Sequence, residues 1–176
     1  MTSGLPSDWS GLTADHAAAL EQFVAAVRNL PPASWNRPLA PGKWTPAEVS
    51  SHLTASYRIM RAELAGGPGM ALRLPRLQRW LLRHTILPRI LRGRPFPEGA
   101  RAPRETRPRE IMEDVSNAVR TLVQEADALV DELAARARAS PVSFTHAYFG
   151  SLSARQGMQL LAAHARHHAR QLADLR

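Results

Sequence analysis

The sequence predicts an all-α protein, a four-helix bundle folded as one domain. Three observations predict it. Apolar residues recur every three and four positions through four long stretches, Pro- and Gly-rich segments separate those stretches, and no run alternates as a half-buried strand would. The 176 residues, 44% of them apolar, suffice for one good core and are too few for two. Residues 1–176 are therefore read as a single domain.

The first helix covers 13–30, with Leu20, Phe23, Val24, Val27 and Leu30 on one stripe and Thr13 placed to cap it. Pro31-Pro32 stops it. After a Pro-rich loop bearing Trp35, the stretch Trp44-Thr45-Pro46-Ala47-Glu48 is a strong start signal. Thr45 can cap, Pro46 suits the first helical position, and Glu48 stands where a capping box needs a carboxylate. The second helix covers 45–65 and buries Val49, Leu53, Ser56 or Tyr57, Met60 and Leu64, with His52 at the edge of that stripe. Gly66-Gly67-Pro68-Gly69 ends it.

Segment 66–107 is an Arg-rich crossover containing short helix. Leu72 to Arg92 interleaves Leu, Ile and Trp80 with Arg73, Arg76, Arg79, Arg83, Arg89 and Arg92, and Arg94 to Pro108 returns as an irregular connection. The third long helix covers 108–138, with Ile111, Val115, Val119, Leu122, Ala126, Leu129 and Leu133 at three- and four-residue steps. A loop from Phe144 to Gly150 leads to Ser153, which with Gln156 makes a second capping box. The fourth helix covers 153–175, and Leu161, His164, His168, Leu172 and Leu175 share one stripe.

Charge and composition narrow the function. The net charge of +8 is concentrated: between Gly66 and Arg109 eleven Arg face two acids, a local +9, and the remaining 12 basic and 13 acidic residues leave −1. Pro75 and Pro88 deny this segment a long continuous face, so packing across the bundle is expected in preference to binding nucleic acid or a membrane. The chain has no Cys, which excludes disulfides, thiolate metal ligands and a Cys nucleophile. There is no basic segment followed by an apolar run near Met1, and no stretch of about 18 apolar residues. A cytoplasmic protein is the expectation.

The chemistry lies in the histidines. His164 and His168, four apart on a helix, point the same way, into places that belong to the buried seam. His167 is three from His164 but rotated roughly 100° from His168. A lone His52 would read as a core-edge residue bonded to a carbonyl; beside an inward pair it becomes the third ligand of a shared divalent metal. Three protein ligands with an open position is the arrangement of catalytic zinc, and nickel, iron or copper suit the same donors. Gln171 or a backbone carbonyl is expected to orient a ligand ring. His16 and His84 are expected at the surface, and His146 either packs its loop or forms a wall of the pocket mouth. No residue stands out as a general base, and Tyr57 and Gln171 are the nearest candidates for polar roles.

Pro41-Gly42-Lys43-Trp44-Thr45-Pro46-Ala47-Glu48-Val49 followed by Ser51-His52-Leu53 resembles the start of helix two in the DinB/YfiT-like superfamily. His146-Ala147-Tyr148-Phe149-Gly150 and the run His164 to Gln171 resemble its last loop and helix, in an uncharacterised branch with a His-Pro-x-Phe-Gly loop; Ala147 departs from the Pro of that loop. The resemblance implies an up-up-down-down bundle, frequently dimeric, with zinc or nickel held by His52, His164 and His168. Its characterised members include thiol-dependent S-transferases and a mycothiol-dependent maleylpyruvate isomerase, and others are described as metal-dependent hydrolases.

The leading expectation is thus a metal-activated low-molecular-weight thiol attacking a small-molecule electrophile, with Arg side chains of the crossover holding an anionic cosubstrate. Metal-dependent hydrolysis of a small substrate is the second. A non-enzymatic helical stress-response or interaction protein, using its Arg-rich segment, is the third.

Overall fold

The structure, a computed structural model, describes residues 7–97 and 99–174; Leu175, placed above on the last stripe, lies outside them. Helices α1 (Trp9–Arg28), α2 (Pro46–Leu64), α5 (Val115–Ala139) and α6 (Ala154–Ala173) form a four-helix bundle. Two short helices, α3 (Arg76–Thr85) and α4 (Leu87–Leu91), lie in the crossover, and strands β1 (Ser143–His146) and β2 (Gly150–Ser153) precede α6. Among the described residues no helix is long and apolar enough to cross a membrane.

Both capping boxes form. Glu48 N donates to Thr45 Oγ1 at 3.1 Å while Thr45 N donates to Glu48 Oε2 at 2.8 Å. Ser153 and Gln156 repeat the exchange at 3.3 and 3.1 Å. Each box satisfies N–H groups that the first turn of a helix leaves unpaired. The first helix begins earlier than its cap signal suggested. Thr13 lies inside α1, where its hydroxyl donates back to the carbonyls of Trp9 and Ser10.

Helix directions follow from which residues meet. On α1 and α6, Asp8 pairs with Arg155 and Asp15 with Arg166, so the two run parallel. On α2 and α5, Arg58 pairs with Glu125, Arg61 reaches Glu132, and Arg136 donates to the Leu64 carbonyl, again in parallel order. Between α2 and α6 the order reverses: His52 meets His164 and His168, while Met60 lies against Gly157. The bundle is up-down-down-up, in place of the up-up-down-down order implied by the resemblance. The physical reason is the crossover, which leaves the end of α2 and returns to its beginning, so that α5 starts where α2 starts.

The core between these helices is formed by Phe23, Val27, Val49, Leu53, Tyr57, Leu122, Leu129, Leu133, Met158 and Leu172, all essentially inaccessible. Burial of each such side chain stabilises the fold by about 1.5–3 kcal/mol. Leu87 and Ile90 of α4 form a smaller core with Phe149, Leu152 and Leu160.

Four further expectations need correction. The third long helix starts at Val115 and not at Pro108. The Trp35 indole takes the Met112 carbonyl at 3.0 Å, Arg109 N donates to Ser51 Oγ, and the Asp114 carboxylate caps by accepting from Asn117 N at 2.7 Å. Ile111 is consequently half exposed.

The loop after α5 is a β-hairpin. His146 pairs with Gly150 across a three-residue turn, and Gly150 takes the left-handed conformation, φ +72°, that closes such turns. Four-residue strands are too short for alternation to register in the sequence. Glu63 of α2 anchors the hairpin by accepting from Thr145 N at 2.9 Å and from its hydroxyl at 2.7 Å.

The crossover packs only in part. α4 is buried, but α3 buries no residue and turns Leu77, Trp80 and Leu81 to solvent. Only Leu82, packed beside the smaller core, and Arg83 tie it to the protein. Arg83 donates to the carbonyls of Phe149 and Ser151 and to Gln156 Oε1.

His16, expected at the surface, is 3% exposed and shares a 2.8 Å hydrogen bond with the Tyr57 hydroxyl. It stands four residues from both Leu12 and Leu20, on the buried stripe of α1. Burial pushes its pKa down to about 4 and holds the Tyr57 phenol above its ordinary value.

Two measurements check this pair. Tyr57→Phe strands a buried ring nitrogen and is expected to cost about 1–3 kcal/mol, read as a lower urea midpoint at unchanged slope. An unchanged midpoint would show that the bond contributes nothing. Because the folded His16 binds its proton less readily than the unfolded one, its contribution is intact above pH 6.5 and is lost as the pH falls towards 4. A loss of about 3 kcal/mol over that window is expected from this residue, and stability flat from pH 7 to 4 would refute it.

Candidate metal centre

His52 projects from α2, and His164 and His168 project one turn apart from α6, which crosses α2 in the opposite sense. The structure brings all three rings together. His164 Nε2 lies 2.9 Å from His52 Nε2 and 3.0 Å from His168 Nε2, and the three ligand atoms lie within 4.8 Å of one another. His52 and His168 are buried, 4% and 7% exposed, whereas His164 keeps some contact with solvent.

The other ring nitrogens fix the tautomers. His52 Nδ1 donates to the Thr106 carbonyl at 2.6 Å, which can only accept. His168 Nδ1 donates to Gln171 Oε1 at 2.8 Å, and the same amide donates from Nε2 to His167 Nε2 at 3.0 Å. In the neutral rings, Nε2 of His52 and of His168 therefore carry lone pairs, both aimed at Nε2 of His164.

Protonation does not relieve this crowding. Burial lowers the pKa of His52 to about 4; burial and then the neighbouring rings lower that of His168 to about 3 and that of His164 well below the ordinary imidazole range. At neutral pH the cluster is a set of uncharged imidazoles, with two lone pairs converging on His164 Nε2. Such donors fit a divalent cation, and separations of 2.9 and 3.0 Å approach the edge of a coordination shell with bonds of about 2.0–2.1 Å. Three imidazoles without thiolate or carboxylate suit zinc, nickel, iron or copper.

Aromatic rings wall the cluster. The Trp44 ring centroid is 4.9 Å from that of His52, and Phe96 of the crossover lies 5.7 Å from His164 and 5.0 Å from His167. His167 thus stands beside the three rings, held by Gln171 and Phe96, and does not join them. His146 stacks on Phe149 at 4.6 Å and accepts from Tyr148 N through Nδ1, so its ring packs the hairpin, and burial lowers its pKa to about 4. Tyr57 turns its hydroxyl to His16 on the other side of α2, away from a role at the cluster. A cavity of about 290 Å³ lies between α2 and the crossover, lined among others by Ser51, Thr54, Arg58, Glu105 and Arg109, and includes none of the three rings.

Three participants were not named from the sequence. Thr106 contributes a backbone carbonyl, which leaves no side-chain signal. Trp44 was read as part of a helix start, and Phe96 stands in Pro95-Phe96-Pro97, where an isolated aromatic in a Pro-rich strap was the available sign.

No curated protein matches the chain. A solved structure described as that of TT2238, a four-helix bundle protein, is 21% identical over 94% of this chain and 98% of its own, with a TM-score of 0.55, a likeness of fold. The family model described as the DinB superfamily matches residues 16–172, nearly the whole chain and both helices that carry the three histidines. The chain belongs to the DinB superfamily.

Proposed function

We propose that the chain is a divalent-metal-dependent enzyme that activates the thiol of a small cosubstrate towards a small electrophile, chemistry of the S-transferase kind. The observation that supports it is the convergence of three neutral Nε2 atoms, two of them on rings whose Nδ1 is hydrogen-bonded, in a chain that has no thiol of its own. A divalent ion bound there would supply Lewis acidity, lowering the pKa of a thiol and polarising an oxygen atom of the electrophile. The choice of a thiol follows the resemblance to thiol-dependent members of the superfamily.

The chain's own residues have separate tasks. His52, His164 and His168 hold the ion, and the Thr106 carbonyl and Gln171 keep two of the rings in the right tautomer and orientation. Trp44 and Phe96 keep water from two sides, which strengthens every electrostatic interaction within. Cosubstrate approaches on the side where His164 meets solvent, and its thiol proton leaves there to bulk water. Arg92 and Arg94, exposed four and two residues before Phe96, would attract an anionic cosubstrate to that side.

Elemental analysis of purified, untagged protein tests the first step. About one metal per chain is expected, lost in His52→Ala and in His164→Ala, and Gln171→Leu is expected to weaken metal affinity by about 10–100-fold. Metal retained in both His variants would remove the three-ring site. Turnover tests the second step: a low-molecular-weight thiol is consumed with an electrophile present, and chelation abolishes consumption. Loss of the electrophile at the same rate without thiol would replace this reading with metal-dependent hydrolysis.

A further inference from the structure

Helix α3 leaves an apolar face uncovered. Leu77, Trp80 and Leu81 form a stripe at i, i+3 and i+4, and they are 76%, 58% and 52% exposed. Leu72, just before the helix, is 49% exposed. On its other sides Leu82 packs against the Leu87–Ile90 core and Arg83 is docked on the hairpin carbonyls, while Arg76 and Arg79 flank the stripe with no ion pair among the described residues. No acidic residue stands between Gly66 and Pro97. A water-facing helix normally does the reverse, since apolar surface in water is unfavourable and arginine is readily solvated. A face built this way needs a cover.

We propose that α3 docks on an anionic lipid surface, lying flat with Leu77, Trp80 and Leu81 in the acyl boundary and Arg76 and Arg79 among the headgroups. Charge complementarity selects this occupant. A second copy meeting α3 across a two-fold axis would bring two sets of unpaired guanidinium groups together, a like-charge contact that opposes association. An anionic bilayer neutralises them, and each basic residue near such a surface adds to the attraction. Trp80 has the shape for this boundary, an apolar body with one polar edge, and its ring is held against His84, with centroids 4.7 Å apart. At ten residues the helix is about 15 Å long, enough to lie in the interface and too short to span it. Docking would be peripheral and reversible, and it rests on none of the metal chemistry.

The test is co-sedimentation of the full chain with vesicles, one set of phosphatidylcholine alone and one of phosphatidylcholine mixed equally with phosphatidylglycerol. Binding to the anionic vesicles only, weakened by salt, is expected. Leu77→Glu with Leu81→Glu is expected to lower binding by about tenfold or more, and Arg76→Glu with Arg79→Glu to lower it as well. All four positions are on an outward helix, so circular dichroism of each double variant should match that of the parent. Failure to sediment at low salt overturns the proposal, and so does binding that the leucine changes leave intact. A chain that is dimeric in solution and made monomeric by Leu77→Glu and Leu81→Glu also overturns it, because a second copy then covers the face.

Discussion

The Nε2 lone pairs of His52 and His168 both point at His164 Nε2, 2.9 and 3.0 Å away in a low-dielectric interior, where a neutral His164 has at most one N–H to offer the two of them. That constraint accounts for much of the surrounding structure. It needs α2 and α6 to cross in opposite directions, so that His52 near the start of one meets His164 and His168 near the end of the other. It needs an acceptor behind His52, and the crossover supplies one by returning to α2 and placing the Thr106 carbonyl there. It needs an acceptor behind His168, and Gln171 is one turn further along the same helix. Imidazole rings hydrogen-bonded in this manner cannot rotate to move their lone pairs apart, so the bundle maintains the crowding.

Much of this was legible in the sequence because it is local. Capping boxes are read across three residues, and both Thr45–Glu48 and Ser153–Gln156 start their helices as read. Periodicity puts His164 and His168 on one face because four residues make about one turn. What was not legible depends on partners distant in sequence. Nothing around Pro108 shows that Trp35, 77 residues earlier, will take the Met112 carbonyl and delay the helix to Val115. His16 carries the periodicity of a buried residue, and only Tyr57, 41 residues away, makes that burial tolerable. The position of Thr106 behind His52 is a property of a backbone atom in an irregular strap. The direction of α3 was misread for a related reason: its amphipathic pattern says which face is apolar, and which face meets the protein is decided by the hairpin carbonyls that receive Arg83.

The charges of the molecule divide into two populations with different work. Arg58 and Arg61 bridge to Glu110, Glu125 and Glu132, and Arg155 and Arg166 reach Asp8 and Asp15. The pairs lie at the surface or partly buried there, and such pairs contribute little stability singly. Their value is in register: acids and bases met in ascending order along parallel helices disfavour a shifted or reversed pairing. The arginines of α3 and α4 have no such partners among the described residues, and their field extends outward from one side of the bundle.

Thr106 holds His52 across 54 residues, and His52 meets His164 across 112. The centre therefore joins three parts of the chain that are far apart until folding is nearly complete. Bringing such distant segments together carries a loop-closure entropy that grows with their separation, and contacts of this range form late. An ion that bridges α2 and α6 would be acquired at the end of folding and would have to be surrendered before the bundle could open. It would act as a removable clasp on the unfolding rate, and the lifetime of the folded molecule would follow the metal supply around it.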